Sequence, residues 1–159
     1  MRDDLGWQDY ESGSCSIARA VESLGDRWTI LILRDLFNGV HRFDDLLDHL
    51  GVSRDVLTRR LAVLLDEGLV ERRPYREAGR RARADYHLTP AGRDLQPVLV
   101  ALLQWGDAHR AGADGPPTRL EHRDCGGEVG IRLTCSEGHD VRRWEVVNRP
   151  QAGARLRAG

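Results

Sequence analysis

Two short amphipathic stretches joined at a glycine, a switch from helical to alternating periodicity after Gly68, and an arginine-loaded tip between two alternating runs predict a mainly α fold with a small β wing (α+β). The arrangement is a winged helix-turn-helix, followed by a small C-terminal β-ribbon. The expected organisation is a loose arm over 1–13, the winged helix-turn-helix over 14–109, a Gly/Pro linker over 110–118, a β-rich appendage over 119–148 and a flexible tail over 149–159.

The elements follow in order. Ser14 or Ser16 can cap a first helix through SIARAVESLG, with Ile17, Ala20, Val21 and Leu24 on one face. Asp26 caps the next, DRWTILILRDLFNG, which is apolar nearly all round and is expected at the centre of the core. Asn38-Gly39 stops it. RFDDLLDHLG makes a short helix with Phe43, Leu46, Leu47 and Leu50 inward. Gly51-Val52 turns the chain, and Ser53 caps a helix with Leu57, Leu61, Leu64 and Leu65 on one side. Alternation then predicts strands from Leu69 or Val70 to Tyr75 and from Ala82 to Leu88. Thr89-Pro90 restarts a helix, and Pro97 inside its apolar pattern predicts a kink or an offset start.

Composition narrows the function. The 159 residues are 40% hydrophobic and 31% charged, enough to bury a core. Net charge is −1, so there is no global basic footprint and any nucleic-acid role must rest on local charge. All 24 basic residues are arginine, which places planar, bidentate donors at every basic site. No apolar run reaches the ~18 residues of a membrane span, and the acidic start lacks a signal-peptide core, so a cytoplasmic protein without membrane partners is expected. Three scattered cysteines do not make a disulfide framework. Neither a Gly-rich phosphate loop nor a local nucleophile–base motif is present, so no enzyme is expected.

At 100° per residue, turning the leucines of the 53–67 helix inward leaves Asp55, Thr58, Arg59 and Ala62 outward, with Arg54 and Arg60 on the flanks. Alone, such a face reads most simply as solvated. The hairpin beside it changes the balance: residues 71–83 hold six arginines against Glu71 and Glu77. A helix in the major groove with a basic wing on the backbone or in the minor groove fits duplex DNA. The candidate DNA-binding residues are Arg42, Ser53, Arg54, Thr58, Arg59 and Arg60, with Arg76, Arg80, Arg81 and Arg83 from the wing. Asp55 is the outward residue whose charge argues the other way. The apolar stripe from Leu95 to Trp105 is wider than a small domain needs. With the first helix it is the natural two-fold interface, made of Ile17, Val21, Leu95, Val98, Leu99, Leu102 and Trp105.

The order Cys15, GDRW (25–28), ILRDL (32–36), HRFDDL (41–46), LTRRLAVLLDEGLVERRPY (57–75), DYHLTPAG (85–92) and LQPVLVALLQW (95–105) resembles the HxlR family of winged-helix transcription regulators, which share a MarR-like architecture. The resemblance spans about residues 15–109. It implies a homodimer that binds double-stranded operator DNA and represses a neighbouring gene, with Ser53 to Arg60 in the recognition helix and Gly79 to Arg83 at the wing tip. Arg81 and Ala82 depart from the prolines common there. Cys15, just before the first helix, is the candidate redox sensor. A helix N-terminus lowers a thiol's pKa, and some members sense oxidants at the matching position. A small packed hydrophobe is the competing reading.

In the appendage, His122-x2-Cys125 and Cys135-x3-His139, with nine residues between the cysteines, resemble an incomplete zinc ribbon. Because neither half has Cys-x2-Cys, a metal-free ribbon is favoured, and no metal or cofactor is expected. The appendage then extends the dimer interface or shapes a pocket for a small-molecule effector. The competing function is a winged-helix, zinc-ribbon-like protein-interaction module that does not bind DNA.

Overall fold

The computed structural model describes residues 6–75 and 83–157. Its helices are α1 (Ser16–Leu24), α2 (Arg27–Phe37), α3 (Phe43–Leu50), α4 (Arg54–Asp66), α5 (Pro90–Arg93) and α6 (Gln96–Arg110), with strands β1 (Val70–Tyr75) and β2 (Arg83–Leu88) between α4 and α5. The expected mainly helical architecture with a two-stranded wing is what forms.

Local signals explain most boundaries. Asp26 Oδ1 accepts from the Trp28 amide at 2.9 Å and starts α2. Gly51 has φ 62°, the left-handed conformation that lets α3 stop and the chain turn at once into α4. Ser53 Oγ accepts from the Val56 amide at 3.3 Å and caps α4. At α1 the cap differs from expectation. Cys15 occupies the N-cap without a side-chain bond, Ser16 is already helical, and Ser14 instead donates to the Glu11 carbonyl at 2.8 Å. The offset start also occurs. Thr89 caps the single turn of α5, the chain breaks at Asp94 and Leu95, and α6 begins with Pro97 in its first turn, where a missing N–H costs nothing.

The core gathers Ile32, Leu33 and Leu36 of α2, Leu46 of α3, Leu57, Leu61 and Leu64 of α4, Val70 of β1, and Tyr86 and Leu88 of β2. α2 is thus central, as its composition requires. Its face also buries Asp35, 1% exposed, which the apolar pattern does not foretell. Asp35 Oδ1 accepts from Arg34 at 2.7–2.8 Å, and its Oδ2 lies 2.8 Å from His49 Nδ1. The carboxylate therefore bolts α2 to the end of α3, and its partners offset its desolvation.

β1 and β2 pair antiparallel from Val70–Leu88 to Tyr75–Arg83. A third segment joins them: Arg42 bridges to Asp85, and the Tyr86 amide donates to the His41 carbonyl at 2.9 Å. His41 and His87 stack at 4.3 Å on this joint. At the wing's other end the Thr89 amide donates to Leu69 at 3.1 Å and the Thr89 hydroxyl to Gly68 at 2.7 Å. Gly92 packs so tightly there that a Cβ would collide with the Leu69 carbonyl oxygen.

Past α6 the pairing is shorter than the two or three strands expected. Single bridges Glu121–Glu128 and Thr134–Asp140 close two turns, whose glycines Gly126 and Gly138 have φ of 68° and 82°. The arm and tail, expected to be loose and flexible, pair with each other in the structure. Glu11 donates to the Arg155 carbonyl at 2.8 Å, Arg157 to the Asp9 carbonyl at 2.9 Å, and the Arg155 amide to Ser14 Oγ at 3.3 Å.

Candidate nucleic-acid interface

α4 is built with two opposite faces. Leu57, Leu61 and Leu64 are buried, while Asp55, Thr58, Arg59 and Ala62 are exposed, as the 100° wheel requires. Its N-terminal half projects from the Gly51 turn, with α3 lying before it in the chain. This is the arrangement in which the second helix of a helix-turn-helix meets base edges.

The cations expected around α4 fall into different groups. Arg59 is exposed and makes no ion pair among the described residues. Arg54 lies over the Phe43 ring at 4.9 Å and reaches Asp44 at 3.3 Å, so its head is steered toward the start of α3. Arg60, expected with the DNA-facing set, turns inward instead. Its Nη2 meets Asp26 Oδ2 at 2.9 Å and ties α4 to the N-cap of α2. Ser53 spends its side-chain oxygen on the cap.

Arg42 stands at the N-cap of α3 with its guanidinium 4.8 Å from the Tyr75 ring, so the tip-side end of the wing strands and the helix-turn-helix share one basic corner. Arg72 lies 5.6 Å over Tyr86 on the same hairpin. Arg83 starts β2. The expected wing-tip residues Arg76, Arg80 and Arg81 lie outside the described residues.

The apolar stripe of α6 is divided between two jobs. Leu95 and Leu99, expected at a dimer interface, pack on the domain's own core. Val98, Leu102 and Trp105 remain about half exposed, and on α1 Ile17 and Val21 are 74% and 56% exposed. Such a set of large uncovered side chains is unusual on a lone small domain.

Cys15 is partly exposed. The backbone N–H groups of Ala18 and Ile17, in the first turn of α1, hold its thiol below the ordinary range, with a smaller contribution from Arg19 and an opposing one from burial. In the appendage, His122 Nδ1 lies 3.2 Å from Cys125 Sγ, and Cys135 Sγ lies 3.5 Å from His139 Nδ1. The two pairs stay separate: among the described residues no three His, Cys, Asp or Glu side chains come together as metal ligands. Beside them an open groove of about 680 Å³ runs between α6 and the appendage, lined by Leu103, Gln104, Asp107, Pro117, Leu120 and Glu128 among others. No described helix is long and apolar enough to cross a membrane.

A helix-turn-helix with an exposed second helix, flanked by a two-stranded wing, defines a winged-helix DNA-binding regulator. The chain belongs to the HxlR-like helix-turn-helix family, which it matches over residues 23–113. It is 42% identical over 139 residues to an uncharacterized HTH-type transcriptional regulator of Mycobacterium tuberculosis, covering 87% of each chain. Among solved structures it superposes on PA1607, reported as a candidate transcription factor, with a TM-score of 0.78 and 33% identity over 88% of this chain and 97% of the other. A second such factor, PA1374 from Pseudomonas aeruginosa, matches with a TM-score of 0.60 and 34% identity over 87% and 93%. The protein is therefore a transcriptional regulator with a helix-turn-helix DNA-binding fold, and not an enzyme.

Proposed function

We propose that the protein is a homodimeric repressor that lays α4 of each copy in successive major grooves of operator DNA, with the wing on the backbone or in the minor groove. The observation that carries this reading is the outward face of α4, where Thr58 and Arg59 stand exposed on a helix anchored by buried leucines, Arg59 with no ion pair among the described residues. Two-fold pairing through Val98, Leu102 and Trp105 of α6 with Ile17 and Val21 of α1 covers the uncovered apolar side chains. Reading a two-fold operator requires that such pairing hold two recognition helices about 34 Å apart, one turn of B-DNA. The DNA-facing set is Arg42, Ser53, Arg54, Thr58 and Arg59 with the wing arginines. Arg60 is left out because Asp26 engages it.

A mobility-shift titration against the region upstream of its own gene tests this. Binding should weaken steeply with salt, weaken roughly 10- to 100-fold in Arg59→Ala, and lower expression of a reporter placed downstream. Salt-insensitive binding, or a monomer in sedimentation at micromolar concentration, counts against it. The lowered thiol of Cys15 at the start of α1 and the groove beside α6 support modulation by an oxidant or a small effector. Oxidant that releases operator from the native protein but not from Cys15→Ser identifies the first route.

A further inference from the structure

The outward face of α4 contains two opposite charges that no described residue engages. Asp55 and Arg59 are four residues apart on the same exposed face, and neither makes an ion pair among the described residues. Their neighbours are engaged: Arg54 by Asp44 and the Phe43 ring, Arg60 by Asp26. Arg59 is thus the α4 guanidinium left to fork onto a base, and the base with two acceptors in the major groove is guanine, through O6 and N7.

Asp55 poses the sharper problem. A carboxylate carried into a phosphate-lined groove is repelled at every sequence unless a base edge donates to it. The major groove offers two such donors, the amino groups of cytosine and adenine. Adenine sets its N7 acceptor beside the amino group, where it repels a second carboxylate oxygen. Cytosine has no such acceptor on its own edge. Four helical residues advance about 6 Å, close to two base-pair steps of ~3.4 Å.

We infer that Asp55 and Arg59 act as a paired reader that selects a cytosine and a guanine about two base pairs apart in each half-site, Asp55 serving mainly to reject other bases. The inference rests on the reading of α4 as the recognition helix.

Selection from a randomised duplex library with the full chain and three exposed-site variants tests it, after circular dichroism shows each variant folded. The native protein should enrich half-sites with the spaced C and G. Asp55→Asn should exchange the cytosine preference for adenine, since an amide matches adenine N6 and N7. Asp55→Ala should lose preference at that position while binding non-cognate duplex more tightly. Arg59→Ala should lose the guanine and weaken the selected site roughly 10- to 100-fold. An Asp55→Ala variant that enriches the native motif unchanged overturns the inference, leaving Asp55 as a helix N-terminal charge. Native half-sites of A·T pairs alone also overturn it while leaving DNA binding intact. A native protein that binds no duplex overturns the reading of α4 itself.

Discussion

The winged-helix body and the C-terminal appendage hold themselves together by different means. Among the described residues, the eleven buried apolar side chains lie between Ile32 and Val100, and none after Arg110 is fully buried. The appendage keeps Val129, Ile131, Leu133, Trp144, Val146 and Val147 exposed and is shaped by turn hydrogen bonds, by Gln104 accepting from the Ile131 amide at 2.8 Å, and by the tail's pairing with the arm. Burial is what makes a unit resist a single substitution poorly and unfold as a whole. A peripheral segment without a core transmits little of its own damage to the rest.

The contrast can be tested at five points. Leu61→Ala, at a site 1% exposed, should cost about 2–5 kcal/mol in urea unfolding, with the wing and α2 loosening together in hydrogen exchange. Asp35→Ala unties α2 from α3 but leaves Arg34 and His49, 46% and 58% exposed, free to meet water, so it should cost about 1–3 kcal/mol. Arg60→Ala removes the half-buried strut to Asp26. It should cost about 1 kcal/mol while operator affinity stays unchanged, the reverse of Arg59→Ala.

Smaller still is a pH effect at the wing joint. His87 is held below the usual imidazole range, first by burial, then by His41 and Arg73, with Asp85 and Glu71 pulling the other way. The folded state then binds fewer protons than the unfolded one. Stability is complete above about pH 6.5 and falls as pH drops through that value. His87→Gln should flatten that slope in urea midpoints taken from pH 7.5 to 5.5. Last, Leu133→Ala in the appendage should change stability by less than about 0.5 kcal/mol. A loss several times larger would mean that a partner covers this face.

Local chemistry makes the body legible in the sequence. The Asp26, Ser53 and Thr89 caps, the Gly51 turn and the leucine spacing of α4 are each written within a few neighbouring residues. What escaped reading depends on pairs far apart in the chain. Arg60 looked like its neighbour Arg59 until folding brought Asp26 beside it, 34 positions away. The tail reads as flexible because nothing near Arg155 signals Glu11 or Ser14. The stripe of α6 showed which residues are apolar, but its period does not reveal that Leu95 and Leu99 serve the core while Val98 and Leu102 stay outside. Asp35 did leave a trace. A lone carboxylate three residues after Ile32, on the apolar face of a central helix, demands partners.

Gly92 gives the regulator a matter of assembly tolerance. The seam between the wing and the start of α5 leaves a gap smaller than one methyl group. Every position along α6 is reached through that seam, by way of Asp94 and Leu95. The placement of α6 against the wing is therefore gauged by an atom the chain does not have.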